Sequence, residues 1–101
     1  MAEYVLSNKA EGDLTEIYTH SYRSFGEATA DRYFLGLSEC LEHLANNPSL
    51  GRTADLIHPG LLRYEHARHV VFYTVEADGI FVLRILHHAM DLGRHVDADG
   101  D

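Results

Sequence analysis

The chain has 101 residues, 46% of them hydrophobic and 24% charged, with a formal net charge of −8. That length makes a single domain with one modest core and leaves no spare layer for a cofactor cavity. The negative balance repels phosphate backbones, which argues against nucleic acid as the main partner, and no apolar run is long enough to span a bilayer.

The charge is uneven. Residues 1–47 carry three basic and eight acidic groups, a net of −5, whereas residues 48–96 carry five of each. The last five residues, 97–101, add three aspartates and read as a short acidic, disordered tail on a single domain spanning 1–96. Seven of the eight basic groups are arginine, the side chain that forms forked pairs with carboxylates, so the bias suits protein partners. The opening Met1-Ala2-Glu3-Tyr4 has neither the basic start nor the apolar stretch of an export signal, which points to the cytoplasm. Cys40 is the one cysteine; it excludes an internal disulfide and falls in an apolar helical stripe, as a small core residue would.

Along the chain, Glu3 to Ser7 is a short strand candidate, after which Ser7 or Asn8 offers a helix N-cap. Ala10, Leu14, Ile17, Tyr18, Tyr22 and Phe25 recur at three- and four-residue steps and define one apolar helix face, ended by Gly26. A second helix is expected over about 27–46, with Ala30, Tyr33, Phe34, Leu37, Cys40, Leu41 and Leu44 as its stripe and Asn46-Asn47-Pro48 as its stop. A one-glycine joint between two amphipathic helices implies an antiparallel hairpin.

Residues 48–60, with both prolines and two glycines, read as a surface loop. Three strands are expected at about 61–66, 68–76 and 80–87, the last two joined through Asp78-Gly79. The expected architecture is α+β: an N-terminal strand and a helical hairpin packed on one face of an antiparallel β-sheet. In the last strand, Phe81, Leu83, Ile85 and His87 are expected under the helices, with Val82, Arg84 and Leu86 on the opposite face. If Leu62 and Tyr64 also face the helices, Arg63 and Glu65 join Arg84 on an open side.

The histidines present two metal-like sets, His66 with His69, and His87-His88 with Asp91 and His95. Neighbours in a strand diverge, and there is no HExxH or CxxC, so no metal and no cofactor is expected. Phosphate-loop and nucleophile-elbow patterns are absent as well. Glu65, Arg63, Arg84, His87 and His88 have the chemistry for acid–base work, but a set of ion pairs and strand-end hydrogen bonds is the preferred reading of them. The tyrosines read as core and not as a base-stacking surface.

An ordered set of short matches resembles the ParE branch of the RelE/ParE toxin superfamily. It comprises Tyr4-Val5-Leu6-Ser7, Asp13-Leu14 with Glu16-Ile17-Tyr18, Phe25-Gly26, Asn47-Pro48 with Leu50-Gly51-Arg52, Val71-Phe72-Tyr73, and Arg84-Ile85-Leu86-His87 with Met90-Asp91. The resemblance implies the toxin half of a bacterial type II toxin–antitoxin module, an inhibitory binding protein rather than an enzyme. It implies a hetero-oligomer with a ParD-like antitoxin and DNA gyrase as the target. Antitoxin contacts are expected at Leu14 and Tyr18 beside the helices and at Arg63, Arg68 and Arg84; target contacts are expected at Met90, Asp91 and Arg94. The alternative is a RelE-like endoribonuclease cutting mRNA on the ribosome with Arg63, Arg84 and His87, to which the −8 charge is poorly matched.

Overall fold

A computed structural model describes residues 2–87. The elements in order are β1 (Glu3–Leu6), α1 (Asn8–Phe25), α2 (Glu27–Asn46), a 3-10 turn (Pro48–Leu50), β2 (Arg52–Thr53), β3 (Leu62–His66), β4 (His69–Glu76) and β5 (Gly79–His87). Strand order is β1-β5-β4-β3-β2, so the expected helical hairpin and three long strands are present.

Both helix ends follow from single residues. Ser7 caps α1: its hydroxyl accepts the Ala10 amide at 3.0 Å and donates to the Leu83 carbonyl at 2.6 Å. The cap therefore also stitches the start of α1 to β5, and Ser7 is 3% exposed. Gly26, at φ 92°, is the whole joint between the helices. Its N–H donates to the Tyr22 carbonyl and its own carbonyl receives the Ala30 amide, so one left-handed residue closes one helix and opens the next.

The sheet differs from expectation in two ways. First, β1 pairs with β5 in parallel, Tyr4 opposite Ile80 and Leu6 opposite Val82. The α1–α2 hairpin is part of the long crossover that a parallel pair requires. Second, the loop over 48–60 contributes β2, whose Arg52 sits opposite Arg63. Gly79 holds the β4–β5 turn at φ 149°, and a Cβ there would collide with the Glu3 main chain.

Two cores result. On the helix side Ala10, Leu14, Ile17, Leu37, Leu41 and Leu44 pack against Val71, Tyr73, Ile80, Val82 and Ile85. Leu62 and Tyr64 pack on this side too, as expected. On the other side Val70, Phe72, Leu83 and Leu86 are buried with Ala54 and Leu61 of the loop before β3. That second face is partly roofed, so the expectation of an open face is corrected. Apolar side chains on both sides of β4 have to leave water, and the residues from Ala54 to Leu61 fold back to cover them.

The parity expected for β5 is also corrected. Ile80 and Val82 face the helices, while Phe81 and Leu83 belong to the second face. Ile85 returns to the helix side, as expected, because a bulge interrupts the ladder: Phe72 opposes Arg84 whereas Tyr73 opposes Val82. One extra residue shifts the in/out alternation by one.

Candidate functional site

A groove of about 380 Å³ lies on the outer side of the hairpin, lined by Leu6 of β1, Glu11, Leu14, Thr15, Tyr18 and Thr19 of α1, and Phe34 of α2. It exists because the apolar stripes of both helices are wider than the sheet can cover. Ala10, Leu14 and Ile17 are buried, but Tyr22, Phe25 and Phe34 are 51%, 60% and 40% exposed. Tyr18 meets Phe34 edge to face at a ring separation of 6.0 Å and Tyr22 at 6.3 Å. Its hydroxyl donates to Asp31 Oδ1 at 2.7 Å, locking the ring between the helices. That bond to a carboxylate, then desolvation, then the Asp31 charge, push the Tyr18 phenol up to about 12. Leu14 and Tyr18, expected from the sequence, are thus brought together in one apolar groove with a fixed aromatic wall.

The arginines are not equivalent. Arg52, Arg63, Phe72 and Arg84 form one row across β2–β5. Arg84 nevertheless is not an outward-facing cation, as it was expected to be. Its Nε and Nη2 donate to the two Asp13 carboxylate oxygens at 2.9 Å each. The two side chains are only 16% and 14% exposed. An acidic partner would have to displace Asp13. Arg63 donates to Glu65 Oε2 at 3.1 Å, with Arg52 3.7 Å from the same oxygen. Its Nε is buried with no acceptor among the described residues. Arg68 is exposed in the β3–β4 turn, at the rim of a second cavity of about 520 Å³ that also takes His87 and His69.

Neither Arg63 nor Arg84 lies in the walls of that cavity, so the set proposed for RNA cleavage is dispersed over three places. Among the described residues no three His, Cys, Asp or Glu side chains converge on a metal-sized point. The target-contact residues Met90, Asp91 and Arg94, the metal-like set of His88, Asp91 and His95, and the tail 97–101 lie outside the described residues. Among the described residues no helix is long and apolar enough to cross a membrane.

Asp13 enters the sequence reading only as part of the family resemblance, with no contact assigned to it. It stands between Ala10 and Leu14, on the flank of the buried stripe, where an unpaired carboxylate is costly. An acid at the margin of an apolar face is a signal for a cation on the opposing element.

The comparisons with known proteins agree with this geometry. The family model described as ParE toxin of type II toxin-antitoxin system, parDE, matches residues 4–92. Toxin ParE1 of Mycobacterium tuberculosis is 35% identical over 94% of this chain and 98% of its own length. Toxin ParE1 of Caulobacter vibrioides is 32% identical over 95% and 99%. A solved structure titled chromosomal ParDE TA system from P. aeruginosa superimposes with a TM-score of 0.71, at 25% identity, covering 86% of this chain and 96% of that one. With nearly its full described length matched by the family and by curated relatives, this chain belongs to the ParE toxins of type II toxin–antitoxin systems.

Proposed function

We propose that this toxin is neutralised by a ParD-like antitoxin seated in the hairpin groove, and that the unbound toxin inhibits DNA gyrase in the cytoplasm. The observation that carries the first part is the groove between Leu14, Tyr18 and Phe34. It is apolar, has a rigid aromatic wall, and lies beside Phe34, which is 40% exposed. A segment that folds on binding needs such apolar anchors to offset its ordering entropy, and buried aromatics are where binding energy concentrates. Arg63, whose side chain is 27% exposed, can pair with acidic residues of that segment through the part of its guanidinium that Glu65 leaves open.

The second part draws on the names of the relatives, each a ParE toxin. A chain of net charge −8 has no general attraction to nucleic acid, which favours a protein target engaged by local contacts. Co-expression tests the module: growth should stop when the chain is expressed alone and resume with the product of a neighbouring antitoxin gene. Unchanged growth in both cases would contradict the reading.

A further inference from the structure

The cavity at the other end of the hairpin has no part in that reading. Its walls include Glu16 and His20 of α1, Tyr33 of α2, Arg68 and His69 of the β3–β4 hairpin, and His87 at the end of β5. Its volume, about 520 Å³, falls in the range of small-molecule sites, roughly 300–1,000 Å³.

One wall is a chain of aromatic rings set at angles to one another, 54° between Tyr33 and His69 and 89° between His69 and His87, so it offers both faces and edges. The Tyr33 ring lies 5.5 Å from that of His69, which lies 5.6 Å from that of His87. The Tyr33 hydroxyl is 2.6 Å from His69 Nδ1. Burial raises the Tyr33 phenol above its ordinary value, so the hydroxyl keeps its proton and remains a hydrogen-bonding group at the cavity. Phe25 of α1, 60% exposed, also lines the cavity.

The other component is charge. Arg68 forms no ion pair among the described residues, unlike Arg52, Arg63 and Arg84. The hairpin that carries it turns through Ala67 at φ 53°, a left-handed conformation that disfavours any residue with a Cβ. Such backbone positions gather at ligand clamps. Among the described residues Glu16 is the one carboxylate in the walls, and His20 adds an imidazole there.

We propose that this cavity binds a small aromatic anion: a one- or two-ring molecule carrying a carboxylate, sulfonate or phosphate, its ring against Tyr33, His69 and His87 and its charge on Arg68. The site is separate from the antitoxin groove and does not depend on it. The test titrates 1-anilinonaphthalene-8-sulfonate into the full-length protein and reads its fluorescence, with the uncharged N-phenyl-1-naphthylamine as comparison. The proposal expects saturable one-to-one binding of the sulfonate. Arg68→Ala should weaken it about tenfold, Glu16→Gln should strengthen it, and Thr29→Trp, which fills the cavity from α2, should abolish it. Circular dichroism and the urea midpoint verify that each variant is folded. Arg68 is an exposed turn residue, so its variant reads the site even if the tryptophan variant unfolds. Equal affinity of wild type and Arg68→Ala for the sulfonate, equally tight binding of the uncharged probe, or no saturable binding would overturn it.

Discussion

Asp13 on α1 binds Arg84 on β5 through both carboxylate oxygens, and the oxygen that receives Arg84 Nε also receives the Ile85 main-chain N–H at 2.9 Å. The bulge at Phe72/Tyr73 lies at this point, beyond Leu6, where β1 no longer covers the β5 edge. Ser7 takes the Leu83 carbonyl and Asp13 takes the Ile85 amide, so α1 satisfies the edge that β1 leaves. The pair therefore holds the end of β5, from which the remaining residues lead.

Removing one partner leaves a poorly solvated charge and an unsatisfied amide. Asp13→Ala should destabilise the fold by about 2–4 kcal/mol, somewhat below the cost for a fully buried pair because both side chains keep some exposure. The double variant Asp13→Leu with Arg84→Met should recover part of that loss. Urea denaturation of wild type and both variants checks this, and a double variant less stable than Asp13→Ala would contradict the pairing.

Tyr73 ties the loop after α2 to the sheet: its hydroxyl donates to the Pro48 carbonyl at 2.6 Å and accepts the Gly51 amide at 2.9 Å. Tyr73→Phe leaves both main-chain groups unpaired, and a loss of about 1–3 kcal/mol is expected by urea denaturation. The Phe ring preserves the packing, so the helix content by circular dichroism should not change.

Alkaline stability follows from the same phenols. Burial raises Tyr33 and Tyr73, and the bond to Asp31 pushes Tyr18 up to about 12. The folded state holds these protons more tightly than the unfolded chain, whose phenols ionise near 10. Stability is then fully present below pH 10 and falls as pH rises from 10 toward 12. Absorbance titration at the phenolate band should show tyrosines ionising late, alongside a urea midpoint that drops over the same interval.

The groove prediction concerns binding rather than folding. Tyr18→Ala and Phe34→Ala should each weaken capture of the antitoxin about 10- to 100-fold in calorimetry, since aromatic anchors carry much of such interfaces. Both rings are partly exposed, so the urea midpoint should move less than for Leu37→Ala, which opens a cavity in the core.

Much of this fold is written in local pattern. The 3.6-residue stripes from Ala10 to Leu44, the Gly26 joint and the Asp78-Gly79 turn specify two helices and a β-hairpin without tertiary information. What sequence hid was parity and partnership. A bulge is one extra residue, invisible in a continuous apolar run such as Ile80 to Leu83, and it reversed the faces of Phe81 and Leu83. The roof over the second face was equally hidden, because Ala54 lies in a stretch whose prolines and glycines read as surface loop, and Leu61 was expected to begin the next strand. Leu14 and Tyr18 were legible as groove residues because they sit on a stripe wider than a sheet can bury. Arg84 was misread because its counter-ion, Asp13, is 71 residues away in the chain.

The most direct test of the central claim is a DNA supercoiling assay with purified gyrase, run beside an in vitro translation reaction. The proposal expects the unbound toxin to inhibit supercoiling, the antitoxin to restore it, and mRNA to stay intact on the ribosome. Undiminished supercoiling together with mRNA cut during translation would contradict it.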